Sequence, residues 1–120
     1  MPKFMLILHQ TPGAYDKLSP EEMQQTFQRY QSWVDGIKTS GRYVVSDKLK
    51  EEGGKLVSRS SGQVTVTDGP FSEAKEVVGG YFTLRAADYN EAVALVKECP
   101  FLECGTISIR QTDPMGCGDE

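Results

Sequence analysis

Asp68, Glu73, Lys75 and Glu76 crowd into the segment Asp68-Gly69-Pro70-Phe71-Ser72-Glu73-Ala74-Lys75-Glu76. In a short helical turn Glu73 and Glu76 share a face, because residues three apart are neighbours there. Held in a cleft, one carboxyl can stay protonated while the other ionises, as acid/base chemistry requires. Lys75 could steady an anionic intermediate. The alternative is a well-ordered solvated loop, with Asp68 bonding nearby turn amides and Phe71 anchoring the segment. Asp68, Glu73 and Glu76 stay open between the two readings, and Lys75 is read as solvated. His9 is the sole histidine, and its ordinary pKa lies near neutrality. At the end of the first strand it is a catalytic candidate. A satisfied polar residue is the commoner role for a histidine so placed.

Strand alternation supplies a second group. Tyr81, Thr83 and Arg85 alternate with Phe82, Leu84 and Ala86, and Thr106, Ser108 and Arg110 alternate with Ile107 and Ile109. With the apolar sides packed on helices, Tyr81, Arg85 and Arg110 share the other face. A guanidinium fork there suits a carboxylate or phosphate, which makes these residues candidates for binding a small anion. Pairing of the arginines with Glu73 or Glu76 is the structural alternative, and it is preferred. The serines, cysteines and His9 have no nucleophilic-triad spacing. No cofactor signature is present, and Gly79-Gly80 reads as a strand bend or bulge rather than a phosphate loop. One histidine and three scattered cysteines give no metal-site spacing.

The elements that must position these groups are legible. Phe4-Met5-Leu6-Ile7-Leu8 is apolar on both alternating faces, the pattern of a central strand. Thr11 to Leu18, with Pro12 and Gly13, reads as a loop. Ser19-Pro20-Glu21-Glu22 carries capping-box chemistry at a helix start. Met23, Phe27, Tyr30, Val34 and Ile37 then form one helical stripe, stopped by Gly41. A strand begins at Tyr43-Val44-Val45. Gly53-Gly54 turns the chain so that Lys55 to Arg59 returns as its hairpin partner, and Gln63 to Thr67 is a further strand. Gly80 to Ala86 is next. A helix starts at Asp88, with Glu91 at capping-box spacing, and ends at Pro100. Thr106 to Gln111 closes the set. The order gives an α+β, ferredoxin-like split βαβ arrangement with an inserted hairpin. Residues 1–112 read as a single domain and 113–120 as a flexible tail that contains Cys117.

The chain has 120 residues, a formal net charge of −4 and 38% hydrophobic residues. That balance argues against backbone-directed nucleic-acid binding, which needs clustered Lys and Arg. No apolar run is long enough to span a bilayer. An odd cysteine count without a signal-peptide layout argues for a cytoplasmic protein and against a disulfide framework. A mixed apolar and polar sheet face points to cover by a second subunit, hence a homodimer.

Asp68-Gly69-Pro70-Phe71, with Glu73, Lys75-Glu76 and Gly79-Gly80-Tyr81, resembles the DGPF motif of the YCII-related family. The similarity continues through Asp88, Glu91-Ala92 and Cys99-Pro100, and runs from Phe4 to Gln111. The resemblance implies a dimeric ferredoxin-like α+β barrel, with a candidate cleft at the dimer. It also implies a histidine–aspartate pair whose histidine belongs on the first helix, where this chain has Tyr30. DGPF-type proteins are often encoded near extracytoplasmic-function sigma factors. Three readings follow: a small-molecule enzyme using the charged turn, a binding module for a small anion, and a regulatory protein with a protein partner.

Overall fold

The computed structural model describes residues 1–69 and 77–114. In chain order the elements are β1 (Lys3–Gln10), α1 (Pro20–Thr39), β2 (Tyr43–Lys48), β3 (Lys55–Ser60), β4 (Gln63–Asp68), β5 (Val77–Arg85), α2 (Tyr89–Val96), a 3₁₀ turn (Pro100–Glu103) and β6 (Gly105–Gln111). A four-stranded sheet runs β2-β5-β1-β6, and the described pairs are antiparallel. This is the ferredoxin-like α+β arrangement, with β3 and β4 inserted as a separate two-stranded sheet.

Local chemistry sets the helix ends. The Ser19 hydroxyl accepts from the Glu22 amide at 3.1 Å, and the Glu22 carboxylate accepts from the Ser19 amide at 3.0 Å. This reciprocal box satisfies two first-turn donors that would otherwise lack partners. Past Thr39 the chain leaves the helix through Gly41, whose φ of 77° favours glycine. Asp88 caps α2 by accepting from the Glu91 amide. Glu91 does not complete a box. Its carboxylate instead accepts from the Ala87 amide and from Arg42. The helix ends at Val96, and Pro100 opens the 3₁₀ turn that follows rather than terminating α2 directly.

The core lies between the sheet and both helices. Phe4, Leu6, Phe82 and Leu84 are fully buried from the sheet side. Val34 and Ile37 of α1 and Ala92 and Val96 of α2 meet them. Trp33 stacks near Phe82 with ring centroids 5.1 Å apart, and its indole N–H donates to the Leu95 carbonyl oxygen, joining the helices. Among the described residues no helix covers the other sheet face. Met5 and Ile7 are half-buried there, so β1 is apolar on both sides as its sequence predicts.

One pairing differs from the sequence reading. β3 pairs with β4 rather than with β2, whose partner is β5. The reversal occurs at Ser61-Gly62, with φ values of 52° and 80°. Two left-handed residues in succession match the twist of a tight two-residue hairpin. The stretch at Gly53-Gly54 serves instead as a longer connection away from the sheet.

Candidate functional site

A cavity of about 300 Å³ opens between the first half of α1 and the β1–β5–β2 part of the sheet. Its position follows from the helix stripe. Val34 and Ile37 are buried in the core, whereas Met23 is half-buried and Phe27 is 54% exposed. Met23, Phe27 and Tyr30 line the cavity with Leu8 from β1 and Phe101 from the 3₁₀ turn. The apolar stripe of α1 therefore runs past the core and over an opening.

The sheet side is shaped by two glycines. Between Leu8 and His9 the pairing with β5 jumps from Gly80 to Val78, so Gly79 is the extra residue of a bulge. A Cβ on Gly79 would lie 2.8 Å from Oε1 of Gln10, and one on Gly80 would lie 2.7 Å from the Asp47 carbonyl oxygen. Both missing methyl groups make room at the cavity wall. Gln10 occupies the first of these spaces.

Gln10 is the distinctive polar group. It continues the inward-facing series Phe4, Leu6, Leu8 and is 8% exposed. Gln10 lines the cavity, with Oε1 against Gly79, and its carboxamide makes no hydrogen bond with the described residues. No sealed side-chain polar atom among them lacks a partner, so the Gln10 amide is not fully sealed. Tyr15 and Tyr30 add phenols. Burial, with Cys104 and Glu51 nearby, drives the Tyr15 phenol far above its ordinary value. Burial pushes Tyr30 up to about 12. Both therefore act as neutral hydroxyls at physiological pH. Exposed Lys48 borders the opening. Asp47 also lines it, but its carboxylate accepts from the Tyr81 hydroxyl at 2.5 Å, alongside the neighbouring strand.

The open sheet face holds His9, Tyr81, Arg85 and Arg110 of the candidate residues singled out from sequence. His9 Nε2 lies 2.7 Å from the Ser108 hydroxyl, a pairing that spacing alone did not suggest. Tyr81 pairs across β2 with Asp47, and that hydrogen bond raises its pKa. Arg85 and Arg110 are exposed on this face, and neither has an ion-pair partner among the described residues. Neither lines the cavity. Asp68 sits apart at the base of the hairpin, where its carboxylate pairs with Lys55 at 2.5 Å in an exposed ion pair. Glu73, Lys75 and Glu76 lie outside the described residues, as does Cys117. Cys99 and Cys104 are buried free thiols, and burial pushes Cys99 up to about 11. Among the described residues no group of His, Cys, Asp and Glu is arranged to hold a metal ion, and no helix is long and apolar enough to cross a membrane.

Sequence reasoning thus found the open face and missed the cavity. The signal was a polar residue in the inward register of β1, next to a glycine pair and opposite the N-terminal half of an apolar helix stripe.

Among solved structures, the chain is similar to 5-chloro-2-hydroxyhydroquinone dehydrochlorinase (TftG) from Burkholderia phenoliruptrix, in complex with 2,5-dihydroxybenzoquinone. The match has a TM-score of 0.53 at 12% identity and covers 92% of this chain and 93% of that one. Identity at that level establishes a shared fold. No curated protein sequence matches the chain. The family model for the YCII-related domain matches residues 2–115, nearly the whole chain, and so the protein belongs to the YCII-related family.

Proposed function

We propose that this protein binds a small organic molecule in the cavity between α1 and the sheet. The observation that carries the reading is Gln10, which is 8% exposed and whose carboxamide has no hydrogen-bond partner among the described residues, on the wall of a cavity lined by Phe27, Tyr30 and Phe101. A largely apolar hollow with a few convergent polar groups is the usual form of a small-molecule site. TftG, which shares the fold, was solved with a ring compound bound, and this supports the reading by analogy alone. A thermal-shift screen of small metabolites tests it, because a ligand of the folded state raises Tm by mass action. Met23→Trp, which fills the cavity, should abolish the shift of any hit. A shift that survives this change would locate the ligand elsewhere. Any hit can then be assayed for turnover.

The DGPF sequence at Asp68 to Phe71 supports placing the chain in that subgroup. Buried free thiols support a reducing, cytoplasmic setting. The open face, apolar at Met5, Ile7 and Val45 with polar ends, has the anatomy of an interface and supports a homodimer. Arg85 and Arg110 remain candidates for a small anion at the rim of that face, with His9 beside Ser108 at its other end.

A regulatory role through a protein partner is the second reading. The hairpin favours it. Val57, Val64 and Val66 share one of its faces and are each more than half exposed. Loss of ligand response together with capture of a stoichiometric partner that Val66→Asp releases would favour this reading.

A further inference from the structure

We infer that the cavity selects a ring compound presenting one hydrogen-bond donor next to one acceptor, as in a lactam or a vicinal hydroxy-ketone, and disfavours carboxylates and phosphates. The inference rests on the cavity reading above. A carboxamide offers one carbonyl acceptor and an NH2 donor side by side. Exchanging the amide oxygen and nitrogen leaves that donor–acceptor pattern intact. A lactam or hydroxy-ketone edge satisfies both atoms at once. A carboxylate satisfies only the NH2 group, because its second oxygen would face Gln10 Oε1, two acceptors without a proton between them. Discrimination of this kind arises from the unpaired group as much as from the paired one.

Charge supports the same conclusion. Among the described residues the cavity lining includes no arginine, and Arg85 and Arg110 are not part of it. Among the described residues Lys48 is the one cationic lining residue, and it is exposed. Tyr15 and Tyr30 contribute neutral phenols at physiological pH, as an ordinary tyrosine does. A multiply charged phosphate would lose its hydration with little compensation. Phe27, Tyr30 and Phe101 suit a flat ring, which buries much apolar area and packs on aromatic faces. The volume suits one substituted ring.

The test compares 2-pyridone, benzoate and toluene by ligand-observed NMR titration against the full chain and against Gln10→Leu and Gln10→Met. Wild type should bind 2-pyridone about tenfold tighter than either other probe, the worth of a matched pair of neutral hydrogen bonds. Both variants should lose that preference while binding toluene as well as before. Toluene binding equal to 2-pyridone in wild type overturns the ligand class and leaves the cavity reading standing. So does benzoate binding tighter than 2-pyridone. Failure of all three probes overturns both. If Gln10→Leu fails to fold, the wild-type ranking and Gln10→Met, which conserves side-chain length, still decide.

Discussion

A single missing methyl group at Gly79 decides where Gln10 can go. The close contact there is with the end of a flexible side chain, whereas a Cβ on Gly105 would lie 2.0 Å from the His9 backbone oxygen. The two positions should therefore respond differently. Gly79→Ala should keep the fold, within about 1 kcal/mol, yet displace the carboxamide and weaken 2-pyridone binding. Gly105→Ala should destabilise by about 3 kcal/mol, because paired backbones cannot yield as a side chain does. Chemical denaturation of both variants checks the contrast. Buried thiols give a further expectation. Cys99, pushed up to about 11, should resist alkylation in the native protein at neutral pH and react once it is unfolded, as read by mass spectrometry of the peptide.

At the scale of elements, helix ends dominate the testable energetics. Ser19→Ala removes the cap hydroxyl and should cost about 1 kcal/mol, measured by urea denaturation. The join between α2 and the chain after α1 is electrostatic. Arg42 and the Ala87 amide hold the Glu91 carboxyl below its ordinary range. A depressed folded-state value means that the folded protein releases this proton more readily than the unfolded chain. Its stabilisation is complete above pH 4.5, the ordinary value, and is lost as pH falls through the lower folded value. Glu91→Gln should lower Tm at neutral pH and flatten the acid limb of the Tm–pH curve. Equal acid limbs in both proteins would sink this assignment. The elements themselves were legible because their signals are local: the capping box at Ser19, the glycine stop at Gly41 and the alternation of Phe82 and Leu84. The hairpin partner was misread because Gly53-Gly54 looks like a turn, whereas the operative reversal is at Ser61-Gly62, and pairing depends on backbone dihedrals. The cavity was hidden for a different reason. Met23 and Phe27 read as core residues from periodicity, and only the tertiary arrangement shows that the sheet does not close beneath them. The His9–Ser108 contact spans 99 residues and left no trace in spacing.

For the molecule as a whole, the sheet has two unlike faces, one sealed by helices and one open. The open face carries a partly exposed apolar centre at Met5, Ile7 and Val45, with Asp47 and Tyr81 in the row of Ile7, Arg110 beside Met5 on the edge strand, and Arg85 with Lys3 one row beyond. A second copy laid across it in antiparallel fashion would bring the basic residues of one towards Asp47 of the other. Sedimentation velocity should show a dimer, and Val45→Glu should convert it to a monomer by placing charge in the apolar centre. A wild-type monomer at micromolar concentration would contradict this arrangement. The cavity lies on the helix side, so the proposed ligand site and the proposed dimer interface lie on opposite faces of one sheet. Occupancy of the cavity beside Gln10 can be read by a nitrogen-15 correlation NMR titration with 2-pyridone, following the side-chain NH2 resonances of Gln10. They should shift together with the amides of Met23, Phe27 and Gly79. Perturbation confined to Arg85 and Arg110, or a Gln10 signal that stays still while other residues move, would contradict that occupancy.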